Sequence, residues 1–281
     1  MYEFSNDKLL MIHADDAGLS TSENQATIEA LQTGSVTSYS LMVPCPWFYE
    51  MAQFALANPE FDYGIHLTLT CEWKNYKFGP VLSKEQVPSL VDKNGHFQKN
   101  RALFQEKARV EEAEKELSAQ IEKALDLGLK PSHLDCHMYS VATSAELISA
   151  YKNLGKKYDL PVLLSKELMA FVGFGAETAL EDDDLLVDHL YVGEYQYFEK
   201  GNLKKFYGDI LDNMEAGFNM ILIHPAFDTH EMKSITEDHP NFGSEWRQQD
   251  FEYFTGQECK SKIKENGIQL VSWKDIMSYK T

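Results

Sequence analysis

Apolar and polar positions along this 281-residue chain follow two periods, one helical and one strand-like. Leu9, Leu10, Met11 and Ile12 form an unbroken apolar run that passes into His13, Ala14, Asp15, Asp16, Ala17 and Gly18, with a helix opening near Ser22. Four times a helical stretch closed by glycine precedes an apolar, β-rich run: residues 31–34 before 36–43, 125–128 before 131–135, 214–217 before 219–224, and 264–267 before 268–273. Glycine past a helix end is the usual left-handed cap, so each junction reads as a helix-to-strand connection. Residues 65–70 and 162–164 add two strands. Such alternation implies a parallel sheet covered by helices, and the strand count points to an α/β fold of the irregular (β/α) barrel, TIM-barrel-like type over a single domain, residues 1–281.

The longest helix is expected over residues 106–127, where Val110, Ala113, Leu117, Ile121, Ala124 and Leu125 make one apolar stripe among charges. Two long stretches, 72–101 and 171–200, show no regular period, and the second holds the acidic run 181–184. Insertions of this length in α/β folds often cover a substrate; a solvated loop is the competing reading for the acidic run.

Charge narrows the partners. With 26 Lys and Arg against 44 Asp and Glu, the net charge of -18 repels phosphate backbones and anionic membranes alike, which argues against nucleic acid and lipid. Cys45, Cys71, Cys136 and Cys259 are widely spaced and form no CxxC pair, so they read as reduced thiols. No apolar run approaches a bilayer span, and residues 1–10 lack the basic-then-apolar order of a signal peptide, so a cytoplasmic location is expected.

Four places offer chemistry. Asp15 and Asp16 sit where a strand ends, the position at which α/β enzymes carry their sites, although an Asp-rich turn capping the next helix has the same appearance. In residues 64–70, period two places His66, Thr68 and Thr70 opposite the packing face of Ile65, Leu67 and Leu69. In His133-Leu134-Asp135-Cys136-His137, an extended chain points His133, Asp135 and His137 to one side. Two histidines flanking an aspartate are a sharper metal signal than either element before it. His224 ends the apolar run 220–223. With no GxSxG elbow and no cysteine placed as a nucleophile, water activated by a metal is the economical chemistry.

The segments IHADDAGLS, GSVTSYSLMV, YGIHLTLT, PSHLDCH and ILIHPA, with Arg247 and the closing GIQLVSWKDI, resemble in order and spacing the YdjC-like carbohydrate deacetylases, the chitooligosaccharide deacetylase and HpnK group. The resemblance spans nearly the whole chain. It implies an irregular (β/α) barrel holding a divalent ion, magnesium or zinc, on Asp16, His66 and His137, with Asp15 as base. His133 is an alternative ligand to His137, and Asp135 is expected to orient one of the two. His224 is the candidate acid toward a departing amine. Two imidazoles lean toward zinc or another transition metal. An N-acetylated saccharide is the implied substrate and a homodimer the implied assembly. Trp47, Phe48, Tyr49, Trp73, Tyr76 and Phe78 are candidate faces for sugar rings, or ordinary core. Competing functions are hydrolysis of another amide or a phosphoester, and a non-catalytic sugar- or metal-binding role. The sequence departs from the family pattern at His13, Ala17, Met138, Tyr139 and around residues 165–167.

Overall fold

Among the described residues, seven parallel strands form one curled sheet: β1 Lys8–Ala17, β2 Ser38–Leu41, β3 Asp62–Leu67, β4 Leu134–Cys136, β5 His189–Val192, β6 Gly217–Ile223 and β7 Gln269–Leu270. Their order is β4-β3-β2-β1-β6-β5, with β7 also paired to β1. The computed structural model describes residues 7–279. Residues 1–6, part of the segment read above for a signal peptide, lie outside them.

β1 and β6 are apolar runs buried along nearly their whole length, as expected of central strands covered on both faces. They pair in register from Lys8↔Gly217 to Ala14↔Ile223. The gap between β4 and β5 is bridged by residues 162–164. Leu163 N–H donates to Leu134 O at 2.8 Å, and Val187 N–H donates to Leu164 O at 3.0 Å. That segment, expected as a strand, takes a strand's place with an isolated bridge to β4, so the sheet closes irregularly into a barrel.

Among the described residues, twelve α-helices surround it: α1 Thr21–Thr33, α2 Phe48–Ala57, α3 Arg101–Lys107, α4 Val110–Asp126, α5 Ala145–Tyr158, α6 Lys166–Val172, α7 Tyr195–Glu199, α8 Leu203–Asp212, α9 His230–Ile235, α10 Ser244–Thr255, α11 Gln257–Glu265 and α12 Trp273–Ser278. The single helix expected over 106–127 is two, because Ala108 leaves the helical region and caps α3. Ala113, Leu117, Ile121 and Ala124 bury against the sheet as their spacing requires, while Leu125 points outward. Gly34 ends α1 without a left-handed turn; it is glycine because a Cβ there would lie 2.5 Å from Ala30 O. The stretch 171–200 is more regular than its sequence shows, since it contains β5 and α7. Lys152 of α5 ties its acidic run down, reaching Glu181 at 2.8 Å and Asp184 at 2.7 Å. No helix among the described residues is long and apolar enough to cross a membrane.

Candidate active site

β1 carries the first two acids through a break in its own pattern. Side chains alternate along a regular strand, so Asp15 and Asp16 should face opposite ways. The pairing of β1 with β2 slips between Ala14 and Ala17, and Asp16 adopts a left-handed φ of 65°. Both carboxylates therefore reach the same histidine: Asp16 Oδ1 lies 3.3 Å from His66 Nε2, and Asp15 Oδ1 lies 4.0 Å from His66 Nδ1. Left-handed backbone at a non-glycine residue costs on the order of 1–3 kcal/mol and tends to mark functional sites. Met138 and Tyr139, just past His137, share it, at φ 54° and 47°.

His137 Nδ1 lies 3.0 Å from Asp16 Oδ1, so Asp16, His66 and His137 bring one donor atom each within 4.8 Å of one another, all buried. Glu72 holds the far side of the His137 ring at 3.0 Å. Arg247 on α10 donates to Asp16 Oδ2 at 2.8 Å, to Phe242 O at 2.8 Å, and to Glu23 on α1. This fixes which Asp16 oxygen faces the imidazoles. One layer below, Asp135 Oδ1 lies 3.0 Å from His66 Nδ1, and its Oδ2 lies 2.8 Å from His13 Nε2 and accepts from Ser40 Oγ at 2.7 Å. His13 Nε2 is also 3.3 Å from Asp15 Oδ1. His224 follows β6 with Nε2 3.7 Å from Asp15 Oδ2, and its backbone N–H donates to buried Asp250 at 3.0 Å.

The charge state follows from crowding. Asp15, Asp16, Glu72 and Asp135 meet only one permanent cation among the described residues, Arg247. Burial disfavours charge on His13 and His137, but the carboxylates prevail and lift each pKa to about 9. His66 rises too, against its burial. Burial likewise opposes ionisation of Asp16 and Asp135, yet His137 and Arg247 hold Asp16, and His66 and His13 hold Asp135, well below the usual carboxylate range. Burial pushes Glu23 up despite Arg247. His224 is pushed down to about 4 by burial, so it is neutral at rest. A centre this rich in buried anion requires positive charge, supplied by protons on the imidazoles or by a bound cation.

The HxDxH segment divides by height. Four residues of strand span about 13 Å, so His133 and His137 cannot serve one point although they share a side. His133 sits at the lower level, its ring stacked on Trp273 at 4.9 Å and beside His13 at 5.1 Å. It forms a separate buried group with His13 and Asp135, and burial holds its pKa well below 6.5. Asp135 turns to His66 and His13, not to His133 or His137 as expected. Sequence reasoning assigned no role in the site to His13, Glu72 or Glu23, nor to Arg247 as a partner of Asp16. His13 was findable, since it shares strand parity with Asp15; the others had no local signal.

Above the cluster lies a cavity of about 930 Å³. Of the proposed aromatics, Trp73 lines it, whereas Phe48 and Phe78 are core and Trp47 and Tyr49 are exposed outside its lining. Phe171, Tyr191, Tyr195, Phe206 and Phe242 line it instead.

A parallel (β/α) barrel with a buried carboxylate and imidazole cluster at its strand ends, beneath a ligand-sized cleft, has the architecture of a barrel enzyme. The chain belongs to the YdjC-like protein family, whose profile matches residues 9–265. It is 30% identical over 278 residues to a carbohydrate deacetylase of Enterococcus faecalis, covering 96% of this chain and 99% of that one. A carbohydrate deacetylase of Thermoanaerobacter pseudethanolicus is 29% identical, with 95% and 98% covered. A crystal structure from Enterococcus faecalis V583, of a protein named for cellobiose-phosphate cleavage, superposes with a TM-score of 0.79 at 31% identity, covering 95% of this chain and 98% of that one.

Proposed function

We propose that this chain is a divalent-metal-dependent carbohydrate N-deacetylase that splits the acetamide of an N-acetylated sugar into acetate and an amine. The observation that carries the reading is the convergence of Asp16, His66 and His137 beside Asp15 on the floor of the cleft, in a chain whose relatives are named carbohydrate deacetylases. The donor set fits a divalent ion: one carboxylate and two imidazoles, buried, in surroundings that already call for cationic charge. Magnesium and zinc are both compatible with it. Bound there, the ion supplies Lewis acidity that lowers the pKa of water and polarises an amide carbonyl.

The chain's own groups do the rest. Asp135 and Glu72, each 3.0 Å from an imidazole nitrogen, hold the rings of His66 and His137 in place. Arg247 holds Asp16 in the same way. Asp15 accepts the proton that water loses on attacking the acetyl carbon. His224, neutral at rest and 3.7 Å from Asp15, takes that proton and delivers it to the sugar nitrogen as the C–N bond breaks. The oxygens of Asp135 are engaged by His66, His13 and Ser40, so it acts by positioning.

Acetate release from di-N-acetylchitobiose, with and without chelator, tests the scheme. Activity should vanish on chelation and in Asp16→Ala; activity that survives both overturns it. Metal titration of His66→Ala and His137→Ala tests the ligand set, and undiminished affinity in either variant removes that residue. The relative named for cellobiose-phosphate cleavage favours one second reading, hydrolysis of a phosphorylated disaccharide. A parallel incubation with cellobiose phosphate distinguishes it: phosphate or free sugar released there, with no acetate from di-N-acetylchitobiose, favours the second reading.

A further inference from the structure

β1 seats His13 beneath the proposed base. His13 and Asp15 share strand parity, two residues apart, and the slip in the pairing of β1 with β2 comes only after Ala14. His13 Nε2 lies 3.3 Å from Asp15 Oδ1, an oxygen sealed from solvent on which no hydrogen bond closes. Asp15 Oδ2 lies 3.7 Å from His224 Nε2. Asp15 and His224 both line the cleft, whereas His13 is 1% exposed and has no place in its lining. One oxygen of Asp15 therefore meets the barrel interior and the other meets the cleft floor.

His13 is itself held from several sides. Its Nε2 lies 2.8 Å from Asp135 Oδ2, which also accepts from Ser40 Oγ at 2.7 Å. Its ring centre is 5.1 Å from that of His133, which stacks on Trp273. Burial opposes charge on the His13 ring, but Asp135 and Asp15 lift its pKa to about 9, so at neutral pH its contact with Asp15 joins opposite charges.

We propose that His13 is the positioning residue of the base: it holds Asp15 by Oδ1, so that Oδ2 is the oxygen presented to water and to His224. This rests on the deacetylase reading above, in which Asp15 accepts the proton that water loses. The last torsion of an aspartate is broad and two-fold, so a carboxylate left to itself presents either oxygen at many angles. A fixed N–H beneath one of them selects a single orientation, and proton transfer depends on orientation. Asp135 then serves both halves of the centre: its Oδ1 lies 3.0 Å from the ring of His66, and its Oδ2 anchors the histidine that sets the base. A change at Asp135 disturbs metal and base together; a change at His13 disturbs the base alone.

Steady-state kinetics on di-N-acetylchitobiose and calorimetric metal titration, both with the full chain, test this separation. His13→Met keeps the bulk of the side chain and removes its N–H; kcat should fall about 10–100-fold while KM and metal affinity stay within about threefold of wild type. His13→Gln returns an N–H at similar reach and should recover kcat to within about fivefold of wild type. Asp135→Asn should lower kcat and metal affinity together. A merely structural role would lower the Tm of His13→Met and His13→Gln without dividing them in kcat, and that pattern overturns the proposal. So does a kcat in His13→Met within about twofold of wild type. A crystal structure of the metal-loaded wild type decides the matter without any variant, even if His13→Met does not fold: Nε2 of His13 should stand against Asp15 Oδ1, and a carboxylate turned away from His13 overturns the proposal. A wild type that shows this contact but releases no acetate leaves the hold on Asp15 standing and counts against the deacetylase reading instead.

Discussion

Stripping the metal and raising the pH should destabilise this protein in a window set by two histidines. His13 and His137 have their pKa raised from 6.5 to about 9 by Asp135 and Asp15 in one case and Glu72 and Asp16 in the other, against the cost of burial. A group whose folded-state pKa is raised contributes its stability in full below the unfolded value, here 6.5, and loses it as pH rises through about 9. Each contribution is about 3 kcal/mol, because one pKa unit corresponds to ~1.4 kcal/mol. The two rings lean on different carboxylates, so the losses are largely separate. His224 and His133, whose pKa values are depressed, contribute in full above 6.5 and add no slope there. Burial raises Asp250 to about 7, which adds a small loss at the low end of the window.

At ~2–4 °C of Tm per kcal/mol for chains approaching this length, the chelated protein should lose on the order of 10 °C between pH 6.5 and 9.5. Scanning fluorimetry across that range measures it. A divalent ion takes the imidazole lone pairs that protons otherwise occupy, so the rise in Tm on adding metal should widen as pH increases. A chelated protein whose Tm is flat or rises from pH 6.5 to 9.5 would refute the charge state assigned to the cluster. A metal-induced shift that shrinks with pH would refute the imidazole ligands.

Two substitutions probe the scaffold around the centre. In Gly64→Ala, a Cβ would fall 2.4 Å from His133 Nε2, forcing that ring off Trp273; a loss of about 1–3 kcal/mol by urea unfolding is expected, with metal affinity retained. Affinity falling as far as in His137→Ala would instead favour His133 as the ligand. Arg247→Met leaves Asp16 and Glu23 buried without their cation, which should lower stability by about 3–5 kcal/mol. Metal should bind it about 10–100-fold more weakly, and titration matching wild type would show that Asp16 needs no such support.

What could be read from the chain was what local pattern encodes. Leu9 to Ile12 and residues 220–223 are apolar enough to be central strands on sight, and the glycine-closed helices before the strands announced a parallel barrel. β5 escaped notice because Leu190 is its one buried member, so the segment lacks either strand period. The site was legible as a set of residue types and only partly as geometry. Alternation alone would separate Asp15 from Asp16; they converge because the β1 pairing slips and Asp16 turns left-handed, a backbone event with no spacing to betray it. The same alternation put His133 and His137 on one side and said nothing of height, and the structure seats them in different groups, His133 with His13 and Asp135, His137 with Asp16 and His66. Glu72 and Arg247 arrive from an insertion and from α10, elements whose position over the barrel depends on the whole packed fold. A charged side chain in a loop or helix carries no mark of the partner it will meet. The proposed ligands could therefore be nominated from strand ends, whereas the groups that orient them and shape the cleft required the assembled barrel.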